Sequence, residues 1–170
     1  MKRLFEPNDT VMYGGHGACT LEEITEKDFG GETKLYYVLR PAFSGSSVFY
    51  VPVDSEALTA KIRLVKSASE LKAIIHETAP DVWIDDDRTR QNKLKQIVDG
   101  GGTDVLIASF KMLHSQYESL SAVGKKLRAA DDRYMKDIEK LLLEELSFSY
   151  DIQKEELVPF LLEQVEVNIK

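Results

Sequence analysis

Along the first third of the chain, apolar and aromatic residues fall in short runs separated by glycine: Thr10 to Tyr13, Ala18 to Ile24, Leu35 to Arg40 and Ser47 to Val53. Runs this short, rich in β-branched and aromatic residues, predict strands. Gly14-Gly15-His16-Gly17, Phe29-Gly30-Gly31 and Ser44-Gly45-Ser46 tolerate positive φ, so each predicts a tight reversal and together they predict an antiparallel meander. Four or five strands in about 50 residues can bury an inner face by curling into a small barrel or packing on another element.

After Pro52 the period changes. Asp54 to Lys66 shows no strand pattern and predicts a connector with a short helical turn. A helix follows from about Ser69 to Glu77, ended from beyond by Pro80, and another from about Asp86 to Val98, stopped by Gly100-Gly101-Gly102. Thr103 is the expected cap of a helix whose inner face carries Leu106, Phe110, Leu113, Tyr117 and Leu120, which step by four and three. A long helix is expected over about Val123 to Phe148 with Leu127, Ala130, Tyr134, Ile138, Leu141 and Leu142 inside. A last one, about Lys154 to Gln164, contains Pro159.

Within this helical half, P-D-V-W-I-D-D-D-R-T-R-Q-N-K-L-K, residues 80 to 95, holds the single tryptophan. Asp85, Asp86 and Asp87 suit a first helical turn, where free amides and the macrodipole favour carboxylates. Arg88, Arg90, Lys93 and Lys95 follow with no intervening acid. If one of the aspartates is the cap, Trp83 and Ile84 lie on the incoming loop and can project from the surface. A ring beside bases then suggests nucleic acid. If the helix starts at Asp81 instead, Trp83 stands eleven residues before Leu94, at nearly the same angle, and belongs to the core. Lys125, Lys126 and Arg128 crowd the start of the long helix, where cations oppose the macrodipole. They either serve a function or belong to a surface laced with pairs such as Asp132 to Lys136.

Composition changes this picture in one respect. Net charge is −7, from 22 basic and 29 acidic residues. That argues against a free-standing DNA binder, although clustered bases leave a local positive stripe whose hold on phosphate is weak and salt-sensitive. With no apolar run near the roughly 20 residues of a membrane helix and no signal-peptide core at the start, the expected location is cytoplasmic, without membrane contact. The single Cys19 excludes an internal disulfide and a cysteine-based zinc site.

Candidate enzymatic chemistry is sparse. Asp85, Asp86 and Asp87 are consecutive and diverge on a helix, so they cannot chelate one metal together. His16, His76 and His114 lack zinc-ligand spacing. His16 and Cys19 form a conceivable base and nucleophile without a third partner. The expectation is a noncatalytic protein without metal or cofactor.

Together, the two halves resemble the CarD/CdnL family of bacterial RNA polymerase-interacting transcription regulators. The resemblance rests on F-E-P-N-D-T-V-M-Y-G-G-H-G at 5 to 17, similar to the family's F-x-x-G-D-x-V-x-Y-x-x-H-G, with Tyr13, His16 and Gly17 in place. It continues through L-Y-Y-V-L at 35 to 39, V-P-V-D at 51 to 54, the W-I-D-D-D-R-x-R segment, and A-V-G-K-K-L-R-A-A-D-D-R at 122 to 133. It implies an α+β, two-domain chain: a Tudor-like antiparallel β-barrel at 1–55 that docks on the RNA polymerase β subunit, a connector at 56–67, and an all-α bundle at 68–170 that touches promoter DNA.

In that picture Trp83 is a wedge entering the minor groove at the upstream edge of the melted bubble, stabilising open over closed complex. Arg88, Arg90, Lys93, Lys125, Lys126 and Arg128 contact the backbone nonspecifically. Lys27, Arg40, Phe49, Tyr50 and Val51 are the implied polymerase contacts. Tethering answers the charge problem, because polymerase presents DNA at an effective concentration on the order of mM. A monomer, nucleoid-associated through polymerase, is the simplest form. The chain departs from the family pattern at Asn8, where Gly is common, and at Tyr50 and Lys27, which occupy positions of basic polymerase contacts in some members. The alternative is a Tudor-type module in which Tyr36, Tyr37, Phe49 and Tyr50 bind a peptide or methylammonium group. Neighbours on one strand face opposite sides, which keeps Tyr36 and Tyr37 out of one cage.

Overall fold

The computed structural model describes residues 4–43 and 45–170, in two compact units, Met1–Val65 and Lys66–Lys170. The first unit is built on β1 (Thr10–Tyr13), β2 (Ala18–Phe29), β3 (Glu32–Pro41), β4 (Phe49–Pro52) and β5 (Ile62–Leu64), with a 3-10 turn at Gly14–His16 and a short helix α1 (Glu56–Thr59). All strand pairs are antiparallel, in the order β4-β3-β2-β1-β5.

The expected barrel is therefore corrected to a small twisted sheet, with β4 and β5 as its two edges and no pairing between them. The segment read as a connector holds α1 and β5, and β5 pairs with β1. The β2–β3 hairpin turns on Gly30 and Gly31, at φ 69° and 86°, the left-handed pair a two-residue turn needs. Of the third expected reversal, Gly45 has φ 78° and Ser44 lies outside the described residues.

One face of the sheet carries the core: Val11, Tyr13, Cys19, Leu21, Tyr37, Leu39, Val51, Val53 and Ile62, closed by Phe5. A bulge between Leu21 and Glu23 resets the two-residue alternation, so Leu21 and Ile24, three apart, face the same core. Asn8 has φ 75° and donates its N–H to the Leu21 carbonyl at 2.7 Å. That left-handed backbone is accessible to Asn as well as Gly, which accounts for the departure at this position.

The second unit packs α2 (Ala68–Glu77), α3 (Asp87–Gly100), α4 (Thr103–Ser121), α5 (Ala129–Leu146) and α6 (Lys154–Leu161). It also holds a two-stranded sheet, β6 (Tyr150–Asp151) with β7 (Asn168–Ile169), so it is mainly rather than wholly helical. Helix α2 opens with a Ser67/Glu70 capping box, and α3 is capped by Asp86.

Several sequence expectations shift. Gly102 caps α4, while Thr103 is its buried first residue and donates from Oγ1 to Glu145 Oε1 at 2.8 Å. Leu106, Phe110 and Leu113 are buried as expected, but Tyr117 is exposed. The long helix starts six residues late: Val123 to Arg128 form a loop, with Gly124 at φ 73°. Lys125 and Lys126 are thus outside α5, and Arg128 is its N-cap residue. The buried stripe of α5 runs Asp131, Met135, Ile138 and Leu142, while Leu127, Ala130 and Tyr134 are only partly buried. Helix α6 ends at Leu161 because Glu163, at φ 59°, sits where Gly is usual in a Schellman turn; Gln164 N–H reaches the Pro159 carbonyl at 2.7 Å.

Candidate nucleic-acid interface

The loop from Thr78 to Asp86 that carries Trp83 is pinned at both ends. On its incoming side, Lys111 of α4 donates to the carbonyls of Ile75 and Thr78 at 2.6 and 2.8 Å, satisfying the last turn of α2. The Asp81 amide bonds the Ala108 carbonyl at 3.1 Å, and Lys93 Nζ meets Asp81 Oδ2 at 2.7 Å. On its outgoing side, Asp86 Oδ2 accepts from the Thr89 amide at 2.9 Å and its hydroxyl at 2.6 Å.

Trp83 lies between these anchors, outside the helix and partly buried. The cap reading of the segment is the one adopted by the chain. The loop is not wholly free, however: Val82 projects at 77% exposure, while Trp83 and Ile84 are each partly covered. Arg90 lies over the Trp83 ring, its guanidinium carbon 4.2 Å from the ring centroid.

Arg90 corrects the sequence assignment most directly. It is 2% exposed. Nε donates to Asp131 Oδ1 at 3.0 Å and Nη2 to Asp131 Oδ2 at 2.7 Å, a bidentate pair with a carboxylate that is 1% exposed. Nη2 also donates to Asp87 Oδ1 at 2.7 Å, and Nη1 to the Ile84 carbonyl at 2.8 Å and that of Asp85 at 3.4 Å. The hydrogen bonds it donates to Asp131, then the one to Asp87, raise the guanidinium pKa against the opposing effect of burial. A buried, fully bonded arginine has no donor left for a phosphate.

The other cations divide into two kinds. Lys93 is tied to Asp81, and Arg128, 72% exposed, pairs with Asp87 Oδ2. Asp87 thereby joins the loop before α5 to the first turn of α3. Arg88, Lys125 and Lys126 are exposed and have no ion-pair partner among the described residues. Asp131 and Asp87 were missed as site residues by sequence reasoning. The signal for Asp131 was its place on the apolar stripe of α5, where a carboxylate requires a buried partner.

The acids of this loop set an acid limb for stability. Thr89 holds the Asp86 carboxyl below the usual range, and Lys93 does the same for Asp81. Their contribution is fully present above the ordinary Asp value of about 3.9 and is lost as pH falls through the lower folded values. Asp86→Asn keeps the cap acceptor and is expected to flatten that limb in thermal melts followed by circular dichroism between pH 5 and pH 2; an unchanged slope would contradict the assignment to Asp86.

In the N-terminal unit the implied polymerase contacts do not share one surface. Val51 is 1% exposed, so its side chain belongs to the core. Phe49 packs on His16 and Tyr13, with centroids 4.5 and 5.4 Å apart. Arg40 is half-exposed and paired to Glu22 at 2.8 Å, and Lys27 is exposed opposite Lys34 on the neighbouring strand. Tyr50, 42% exposed, stands edge-on to Phe29 at 5.5 Å and Tyr36 at 6.4 Å. Tyr37 is fully buried, and Phe49 belongs to the cluster with His16 and Tyr13, so the four aromatics proposed for a methylammonium cage do not converge. Cys19 is buried with its thiol 3.8 Å from the Gly17 carbonyl, a setting unlike that of an accessible nucleophile.

A groove of about 770 Å³ in the second unit runs between α2 and residues 163–169, and none of its lining residues belongs to the Trp83 cluster. Its rim includes His76, whose Nδ1 is 3.1 Å from Glu163 Oε1. Among the described residues, no helix is long and apolar enough to cross a membrane.

Residues 5–65 match the model of the CarD-like/TRCF RID domain. The chain is also similar to the "Putative transcription factor YdeB" of Bacillus subtilis (strain 168), 38% identical over 73 residues, 43% of this chain and 46% of that protein. The match spans about half the length of that relative. The N-terminal unit therefore carries a CarD-like/TRCF RID domain, and the likeness to a transcription factor supports a CarD-like family.

Proposed function

We propose that this protein is a transcription regulator that docks on the RNA polymerase β subunit through its N-terminal unit and stabilises the open promoter complex with Trp83. The observation that carries this reading is the CarD-like/TRCF RID domain at residues 5–65, followed in the same chain by a pinned loop presenting one partly exposed tryptophan. A ring entering an already unstacked minor-groove step gains most where the duplex is distorted, so it favours the open state without reading sequence. Arg88, Lys125 and Lys126, with Arg128 after release from Asp87, supply the backbone contacts; Lys93 is held by Asp81 and contributes less. With a net charge of −7, such contacts act when polymerase supplies the DNA locally.

On the docking side, the features that support polymerase binding are the β4 edge and the exposed rings of Phe29 and Tyr50. The Val53 amide bonds the Leu35 carbonyl at 3.0 Å, so alternate residues of β4 turn inward and the backbone of Tyr50 faces the open edge. Pro52 has no N–H to offer there, which limits strand addition to a short pairing.

Two tests address the two surfaces. Phe29→Asp with Tyr50→Asp is expected to weaken β-subunit binding at least about tenfold, roughly 1.4 kcal/mol, in a titration on purified β; unchanged affinity would remove this surface. Lys125→Ala with Lys126→Ala is expected to lower the slope of log affinity against log salt by about 0.9 for each phosphate that is no longer neutralised, measured on the polymerase–promoter complex. An unchanged slope would take these lysines out of the interface.

A further inference from the structure

We infer that Arg90 and Asp131 are positioning residues for Trp83: a buried ion pair between α3 and α5 forms the seat on which the partly exposed ring is held, and neither residue touches nucleic acid.

The bonding inventory of Arg90 leads to this. A guanidinium has five N–H donors in a rigid fork. Asp131 takes two of them, Asp87 one, and the carbonyls of Ile84 and Asp85 the remaining two. What remains for interaction is the flat face, and Trp83 lies against it at 4.2 Å. The same group therefore fixes the ring through its face and, through the Ile84 carbonyl, the peptide that follows the ring. Trp83 has no helix of its own to orient it, so this stacking sets its direction.

A stability role alone accounts poorly for the arrangement. Two charges have been removed from water, and a buried pair of this kind is often replaceable by apolar residues of like volume without loss of stability. Lysine could supply the charge opposite Asp131, but it has neither the fork to hold two loop carbonyls nor a planar face for an indole. Arginine is the residue that does both.

This deepens the proposed function and rests on it for its consequence, but the seat can be tested without polymerase or DNA. Trp83 is the only tryptophan in the chain, so its fluorescence reports the ring alone. Three full-length proteins are compared: wild type, Arg90→Lys, and the double variant Arg90→Met/Asp131→Leu, which keeps apolar volume between α3 and α5 and avoids an orphaned charge. Circular dichroism melts establish that each is folded.

Expected in both variants is a fall of about threefold in the population of the held ring, roughly 0.65 kcal/mol. It is read as faster nanosecond depolarisation and stronger acrylamide quenching, with the double variant melting near wild type. Open-complex lifetime on polymerase should shorten in parallel, while β-subunit binding stays unchanged. The inference is overturned if the folded variants show wild-type depolarisation and quenching, or if the wild-type ring already rotates as freely as in the urea-unfolded chain. If the fluorescence changes but the lifetime responds neither to these variants nor to Trp83→Ala, the seat stands and the proposed function falls.

Discussion

Arg90→Met alone is expected to destabilise the C-terminal unit by about 3–5 kcal/mol, because it leaves Asp131 buried and without its bidentate partner. Asp131→Leu alone is expected to cost a similar amount. It leaves Arg90, 2% exposed, with only Asp87 to balance its charge. The double replacement removes both charges, and by the same reasoning its stability returns close to wild type or exceeds it. The coupling energy between the two positions is therefore close in magnitude to the two single costs taken together, the behaviour of residues acting as one unit. Urea unfolding followed by Trp83 fluorescence reads it cleanly, since the reporter sits in the unit concerned. Single costs that simply add in the double variant would contradict the pairing.

Much of the fold was legible because local chemistry and tertiary placement agree. The glycines at 30 and 31 take the left-handed backbone that a two-residue hairpin needs, and Asp86 caps α3 as the acid triplet suggested. Closure of the sheet was not legible. A barrel requires β4 and β5 to pair, which no local pattern encodes, and β5 has only three residues, too few for alternation to show. The start of α5 was misplaced for a related reason. Lys, Leu and Ala around 125–130 are good helix formers, and their summed propensity hid the break at Gly124, whose φ of 73° ends the previous segment.

The site was half legible. Placing Trp83 on the loop before a capped helix followed from the Asp-rich first turn. Assigning Arg90 to DNA did not follow from its position, only from its charge. Arg90, Leu94 and Ile97 step by four and three and are all buried, so the arginine stands on the inner stripe of α3. Asp131 stands likewise on the stripe of α5 with Met135 and Ile138. An arginine and an aspartate each occupying an apolar position are a complementary signal, since neither is tolerated inside without the other. Read as a pair, they would have predicted the packing of α3 on α5 and removed Arg90 from the phosphate contacts.

Trp83→Ala is expected to remove the protein's effect on promoter opening while leaving its docking intact. The ring is outside any helix and only partly buried, so its removal should leave both units folded. In the proposed function its contribution is differential: the indole would have an unstacked step to occupy in the open complex and none in the closed duplex. A preference of about 1.4 kcal/mol is a tenfold change in the opening equilibrium. Truncation to Ala is expected to remove that preference, whereas the phosphate contacts proposed for Arg88, Lys125 and Lys126 would act on both states and shift the equilibrium little.

The most direct measurement is open-complex lifetime on a promoter with a cognate bacterial polymerase, comparing no protein, wild type and Trp83→Ala, with β-subunit binding measured on the same preparations. A lifetime lengthened about tenfold by wild type, and returned to the protein-free value by Trp83→Ala at unchanged β affinity, is the expected result. A wild-type protein that binds β yet leaves the lifetime unchanged, or a Trp83→Ala variant that lengthens it equally, would contradict the account.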